Sequence, residues 1–332
     1  KMSKVKAVAL FSGGLDSILS VKIMLEQGID IYPIHFITPF FTSLKTGYKI
    51  ETRQVNEEFG IPLKVKFLGK EYIQLVKKPH YGYGKSMNPC IDCRIFMFCR
   101  AKIYMEEIGA EFIITGEVLG ERPMTQNKKA MKLIEKESGL DGRIVRPLSA
   151  KLLEPAIPEQ QGKVKREKLL AIEGRSRKLQ IKFARELGIS DYPTPGGGCL
   201  LTDSNFAKRI RDAFKHNEDS LKEINLLKYG RHFRLSSGSK VIVGRNEKEN
   251  SIILAFKHLS SICLEADIVP GPITLLLRST GKTDLENAAS ICLRYSDCEK
   301  EGGKVVYWQK KNEEVSIIIE KMGKEEIVNM RI

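Results

Sequence analysis

Hydrophobic runs long enough to cross a bilayer are missing from this chain of 332 residues. No apolar stretch approaches the roughly 20 residues that a spanning helix requires. The amino terminus also lacks the basic, apolar and small-residue regions of a secretory signal, so a cytoplasmic protein with no membrane partner is expected. There is no internal repeat or low-complexity tract. A Walker-type lysine is absent after the glycine turn at residues 12–17, which argues against a kinase or GTPase loop. Histidine is scarce, and His35 and His80 stand isolated, each read as a structural imidazole rather than a ligand or base. Acidic residues are in deficit: 41 Asp and Glu face 55 Lys and Arg, a formal net charge of +14. That surplus raises encounter rates with phosphate backbones and points to a polyanionic partner.

A chain of this length exceeds what one core usually organises, so two domains are expected. Strands at 5–11, 31–37, 63–67, 111–115 and 144–147 alternate with helices at 18–27, 43–58 and 95–108. This is an α/β, doubly wound parallel-sheet pattern, and such sheets bind ligands beyond the carboxyl ends of their strands. A basic helix to residue 187, a Pro- and Gly-rich loop at 192–199 and a helix at 206–214 follow. The grammar then changes to short strands at 233–235, 240–243, 252–255, 273–277, 304–308 and 315–319, with one helix at 285–295. That reads as a second, smaller α+β domain. The division expected is 1–203, a helical linker at 204–228, and 229–332.

Ser12-Gly13-Gly14-Leu15-Asp16-Ser17 sits where the first strand ends and a helix begins. Gly13 and Gly14 let the backbone approach a ligand closely, and the first-turn N–H groups face an anion at the positive end of the helix dipole. A nucleotide-phosphate cradle is predicted, with Asp16 placing a metal or organising the loop and Thr115-Gly116 lining the same crevice. Arg122, Gln126 and Arg146 are candidates to assist nucleotide or substrate binding.

Cys90-Ile91-Asp92-Cys93 puts two thiols one turn apart at a helix start, where the dipole favours thiolate. The pair is compatible with a redox dithiol, half of a zinc site, two ligands of an iron–sulfur cluster, or a persulfide carrier with its resolving partner. Cys199, preceded by three glycines, is the expected third participant. Three cysteines without a fourth suit a cluster with one open iron better than a closed zinc site. Cys99 is read as core, and Cys263, Cys292 and Cys298 lack ligand-like spacing.

The loop at 12–17 resembles the signature of the PP-loop ATPases, of the adenine nucleotide alpha hydrolase-like fold. With the Cys90 and Cys93 pair, Thr115-Gly116-Glu117-Val118-Leu119-Gly120 and Arg146-Pro147-Leu148, it occurs in the order seen in the 4-thiouridine tRNA sulfurtransferases. Gly197-Gly198-Cys199 is similar to a motif of the 2-thiouridine tRNA thiolases. Residues 240–246 and 270–278 resemble the RNA-binding module of the NFACT proteins. The resemblance implies ATP with Mg²⁺, cleavage between the α and β phosphates, and a 4Fe–4S or 3Fe–4S cluster on Cys90, Cys93 and Cys199. It also implies tRNA as partner, with sulfur from a cysteine desulfurase or inorganic sulfide. The 4-thiouridine enzymes usually carry an N-terminal THUMP module, whereas the first strand here begins within a few residues of Lys1. The second domain is therefore expected to supply the RNA grip, through Arg231, Arg234, Lys240 and Arg245 as phosphate contacts beside Phe233 as a stacking ring. The rival readings are a PP-loop enzyme adenylating a small molecule and a non-enzymatic RNA-binding protein with a vestigial loop.

Overall fold

The computed structural model describes residues 4–41, 59–190, 192, 198–259, 262–308 and 314–332. The helix expected at 43–58 and most of the glycine-rich approach to Cys199 lie outside them. The chain divides into two compact units, Lys1–Thr202 and Asp203–Ile332.

The first unit is built from β1 (Lys6–Leu10), α1 (Leu15–Leu25), β2 (Asp30–Ile37), β3 (Lys64–Phe67), α2 (Lys70–Lys77), α3 (Cys90–Glu107), β4 (Phe112–Thr115), α4 (Lys128–Glu137), β5 (Ile144–Val145), α5 (Ile157–Gln160) and α6 (Lys178–Glu186). Its five strands are all parallel, in the order β3-β2-β1-β4-β5. The doubly wound α/β architecture expected from the sequence is therefore present. Ala7 and Ala9 of β1 join Leu15, Ile18 and Leu19 of α1 in one buried cluster, while Val8 joins Phe98, Ala101 and Met105 of α3 in another. Alternation along the central strand thus buries both faces of the sheet. Register Leu10↔Thr115 sets the carboxyl ends of β1 and β4 side by side. The loops leaving these two strands consequently share one mouth. Three helices, α2, α4 and the four-residue α5, were not expected.

The second unit comprises α7 (Ser204–Lys215), α8 (Leu221–Leu226), β6 (Arg231–Arg234), β7 (Lys240–Val243), α9 (Glu247–Ala255), β8 (Ile262–Ala266), β9 (Thr274–Leu277), α10 (Lys282–Arg294), β10 (Gly302–Trp308), β11 (Glu314–Glu320) and α11 (Lys324–Met330). Six antiparallel strands run in the order β11-β10-β8-β9-β7-β6. Ala288, Ala289, Ile291 and Cys292 of α10 pack with Phe233, Val241, Leu264 and Leu276 from the sheet. Residues 252–255, expected as a strand, are helical instead. Asn246 caps α9 by accepting from the Glu249 N–H at 3.0 Å, and Glu247 and Glu249 favour its first turn. The expected linker contains α7 and α8, and its Asp212 and Glu218 pair with Arg234 of β6.

Asp284 anchors the start of α10. It accepts from Ser237 Oγ (2.6 Å), Ser239 Oγ (2.5 Å), Thr280 N (2.7 Å) and Thr280 Oγ1 (2.8 Å). Burial pushes its carboxyl up, but these donors together outweigh burial and hold it down at about 2, below the ordinary 3.8. A depressed carboxylate contributes stability that is fully present above its unfolded value and is lost as pH falls through the folded one. Asp284→Asn should remove about 2 kcal/mol at neutral pH. It should also flatten the acid dependence between about pH 4 and 2, as read by denaturant melts across that window.

Candidate active site

The loop after β1 is stapled by its own side chains. Gly13 has φ 74°, in the left-handed region that favours glycine. Gly14 is the N-cap of α1 and has no side chain to cap it, so the first-turn N–H groups receive no acceptor from the N-cap side chain. Ser17 Oγ donates to Gly14 O (2.7 Å) and accepts from Ser12 N (3.3 Å), and it lies 3.3 Å from Ser12 Oγ. These contacts fix an open turn at a helix N-terminus, the form that receives a phosphate.

Gly116, the first residue after β4, closes against that turn. A Cβ there would lie 2.6 Å from both the Asp16 carbonyl carbon and the Ser17 nitrogen. The expected convergence of Thr115-Gly116 with the loop is thus explained by strand register and a missing side chain. Asp16 Oδ1 is buried without a hydrogen-bond partner, and Oδ2 lies 4.0 Å from Arg177 Nη2. Burial pushes the Asp16 carboxyl up, while Arg177, the Gln180 amide and Arg122 pull against it. An orphaned carboxylate oxygen beside a phosphate cradle is the kind of donor Mg²⁺ takes, and Asp16 fits that role. Arg177 and Gln180 were missed as individual site residues. Only the basic helix that carries them was legible.

Two expected nucleotide contacts are structural instead. Arg146 is 5% exposed; its Nε lies 3.0 Å from Glu117 Oε2, and its Nη1 pairs with Glu135. Arg94 Nε reaches the other Glu117 oxygen at 3.0 Å. Burial works against the Arg146 charge, but Glu117 and Glu135 more than restore it. Gln126 is also buried; its Oε1 accepts from Arg122 N (3.0 Å) and its carbonyl accepts from Gly120 N (2.6 Å), so it shapes the loop. Arg122 itself is exposed, and its charge favours ionisation of both Asp16 and Cys199.

The three cysteines lie within electrostatic reach of one another. Cys90 and Cys93 occupy the first turn of α3, whose N-cap, Pro89, offers no side-chain acceptor. Cys199 is tied down by a β-bridge to Phe41, by Leu200 N to Phe40 O (2.9 Å) and by Leu201 O to Met87 N (3.0 Å). Burial pushes the Cys93 thiol up to about 11 despite a hydrogen bond from Tyr72 and the charge of Arg94, and Cys199 and Cys90 push the same way. Burial likewise raises Cys199, opposed first by the Leu201 N–H, with Cys90 adding to the rise and Arg122 countering it. The donor chemistry fits an iron–sulfur cluster, which takes thiolates, and Cys90, Cys93 and Cys199 would hold it. Among the described residues no three His, Cys, Asp or Glu side chains stand ready-made around a metal position. Cys99 is half-buried within α3, and Cys263 and Cys292 are buried.

In the second unit the expected RNA contacts are largely internal. Phe233 is 0% exposed, so its ring belongs to the core and is not a stacking surface. Lys240 is 1% exposed and donates to Glu218 at 2.9 Å. Arg234 is held by Asp212 and Glu218. β7 is buried along its whole length, so a cation on it has no free face. Arg231 donates to Gly244 O (3.1 Å) and lies 4.6 Å over the Tyr295 ring. Arg245 pairs with Glu249 but stays 46% exposed. Arg331 is exposed too, and both arginines oppose the charge of Arg209, which burial already disfavours. Arg209 and Arg331 carried no sequence signal beyond their type.

The first unit is a parallel sheet with a glycine-rich strand-to-helix turn at its mouth, and the second is an antiparallel sheet with helices. Residues 2–151 match the family model of the thiamine biosynthesis protein (ThiI), and residues 230–331 match the NFACT protein RNA binding domain. The expected resemblances are borne out by these matches. A tRNA-specific 2-thiouridylase MnmA of Syntrophotalea carbinolica is 31% identical over 113 residues, covering 32% of this chain and 32% of that protein. A probable tRNA sulfurtransferase of Thermococcus kodakarensis is 28% identical over 143 residues, 43% of this chain and 36% of its own length. The chain thus spans about a third of the length of these curated relatives. A 4-thiouridine synthetase solved with RNA and bound ATP is 21% identical, with a TM-score of 0.39 over 67% of this chain and 53% of that one. No helix among the described residues is long and apolar enough to cross a membrane.

Proposed function

We propose that the protein is an ATP-dependent sulfurtransferase that thiolates a uridine of tRNA. The observation that carries this reading is one domain holding both a glycine-rich turn at a helix N-terminus, against which Gly116 closes, and three thiols in electrostatic reach of one another, with Arg122 in reach of Asp16 and Cys199. The base carbonyl oxygen attacks the α-phosphorus of ATP, and pyrophosphate leaves into the N–H groups of residues 12–17. Those N–H groups stabilise the charge that develops on the phosphates, and Asp16 would hold the Mg²⁺ that supplies the opposing positive charge. Sulfide-level sulfur then attacks the activated carbon; the C–O bond breaks, AMP departs with its electron pair, and the sulfur loses its proton. Cys90, Cys93 and Cys199 handle that sulfur. As holders of a cluster they would give sulfide an open iron to bind. The sulfur comes as inorganic sulfide, or from the persulfide of a cysteine desulfurase, in which case a pair of the thiols supplies the two electrons and is left as a disulfide.

ATP–pyrophosphate exchange with and without tRNA tests the reading. Exchange should require tRNA and fall by about a hundredfold or more in Asp16→Ala, the scale of losing one preorganised electrostatic group. Exchange driven by a small molecule without tRNA would favour a different adenylating enzyme, and no exchange at all would favour an RNA-binding protein. Iron and sulfide counts after anaerobic reconstitution separate a cluster from a persulfide carrier.

RNA binding is assigned to exposed cations of the second domain. Arg245→Ala should weaken tRNA binding and reduce its salt dependence, with a loss of stability well below that of a core truncation. Phe233→Ala should do the opposite, costing about 3–5 kcal/mol of stability because it empties the core. Parallel melts and salt-titrated binding curves distinguish the two.

A further inference from the structure

The three cysteine sulfurs differ in what donates to them. Tyr72, on the unexpected helix α2, is 2% exposed. Its ring centroid lies 6.1 Å from that of Phe40 and 5.8 Å from that of Phe96, the latter edge-on. The hydroxyl is its one polar side-chain atom, and it ends 2.9 Å from Cys93 Sγ. A buried phenol ordinarily seeks an oxygen or nitrogen partner. Here it meets sulfur.

Asn88 behaves in the same way toward Cys90. Its Oδ1 accepts from Ser86 N at 3.2 Å, which fixes the amide orientation and turns Nδ2 toward Cys90 Sγ, also 3.2 Å away. The residue is buried, and Gly84 leaves it room, since a Cβ there would stand 2.5 Å from Nδ2. Cys199, by contrast, receives main-chain N–H groups from Leu201 and Thr202. Two neutral side-chain donors therefore serve the Cys93 and Cys90 sulfurs, Asn88 Nδ2 also lying 3.7 Å from Met124 Sδ.

We propose that Tyr72 and Asn88 are positioning residues of the sulfur-handling site: their hydrogen bonds aim the Cys93 and Cys90 sulfurs and withdraw electron density from them, giving the two thiols separate reactivities. The inference rests on the reading of Cys90, Cys93 and Cys199 as sulfur-handling. Donors to a ligating sulfur lower its electron richness and raise the potential of the group it holds, the usual outer-shell lever at such sites.

The test uses the full chain, reconstituted with iron and sulfide under argon, as wild type, Tyr72→Phe and Asn88→Ala. Both variants should take up the wild-type complement of iron and sulfide, with a midpoint potential more negative than wild type in a spectroscopic redox titration. Equal loading with an unchanged midpoint overturns the proposal. Uptake of no iron by the wild type defeats the cluster reading on its own, and the same three proteins then decide the proposal through iodoacetamide labelling at one pH, followed cysteine by cysteine by mass spectrometry. Tyr72→Phe should shift the rate at Cys93 by about three- to tenfold, the effect of one neutral hydrogen bond, and leave Cys90 and Cys199 alone. Asn88→Ala should act on Cys90 in the same selective way. Equal changes at all three cysteines, or at none, overturn it, as do effects that merely track a lower melting temperature.

Discussion

Gly116→Ala is expected to weaken nucleotide binding by roughly ten- to hundredfold while leaving the second domain folded. The new methyl carbon would stand 2.6 Å from main-chain atoms of Asp16 and Ser17. Backbone cannot rotate aside as a long side chain can. The turn must retreat, or β4 must shift against β1, to which it is locked by the pairs Ala7↔Phe112 through Leu10↔Thr115. Overpacking of this kind costs about 1–3 kcal/mol, equivalent to roughly a ten- to hundredfold loss of affinity when the displaced segment is the binding loop. Calorimetric titration with ATP would show it. An unchanged dissociation constant would mean that the turn is not the phosphate site.

In the first unit, a large loss of stability should come from Arg146→Ala. Glu117 is 1% exposed and shares its two oxygens between Arg146 and Arg94, and Glu135 takes another face of the Arg146 guanidinium. Removing the central cation strands one buried carboxylate with half its compensation. The expected cost is about 3–5 kcal/mol, seen as an early transition of the first unit in urea. Arg146→Met should cost less if Glu117 and Glu135 are replaced by apolar residues at the same time, because the charges would then leave together. A loss under about 1 kcal/mol for Arg146→Ala would show that the network is solvated rather than sealed.

The sequence was most legible where a local rule admits few solutions. Gly13, Gly14 and Asp16 mark a strand-to-helix turn by residue type alone, and the structure places that turn at the carboxyl end of β1. The spacing of Cys90 and Cys93 likewise sufficed to put both in the first turn of α3. Pairwise burial was not legible. Arg146 follows a strand and looks as though it faces a ligand, yet its partners lie 29 and 11 residues away, at Glu117 and Glu135. Phe233 among cations resembles a stacking ring until Tyr295 and the α10 side chains cover it. Lys70-Glu71-Tyr72-Ile73 reads as mixed, because the amphipathic stripe of α2 spans barely two turns. Tyr72, with its contact to Cys93, was hidden by that brevity.

Cys199 is held in place through its main chain and its neighbours: the bridge to Phe41, the Leu200 amide and the Leu201 carbonyl. None of those bonds involves its side chain. Position 199 is therefore a socket held mainly by the main chain, with the Leu201 and Thr202 N–H groups directed at whatever group is mounted there. Serine, alanine or selenocysteine could each be installed without relocating the segment, whereas Gly198 just before it has no such latitude, with the Phe41 ring 2.5 Å from any added Cβ. A selenium atom in that socket would give the sulfur-handling site a heavy, spectroscopically distinct reporter in an otherwise native protein.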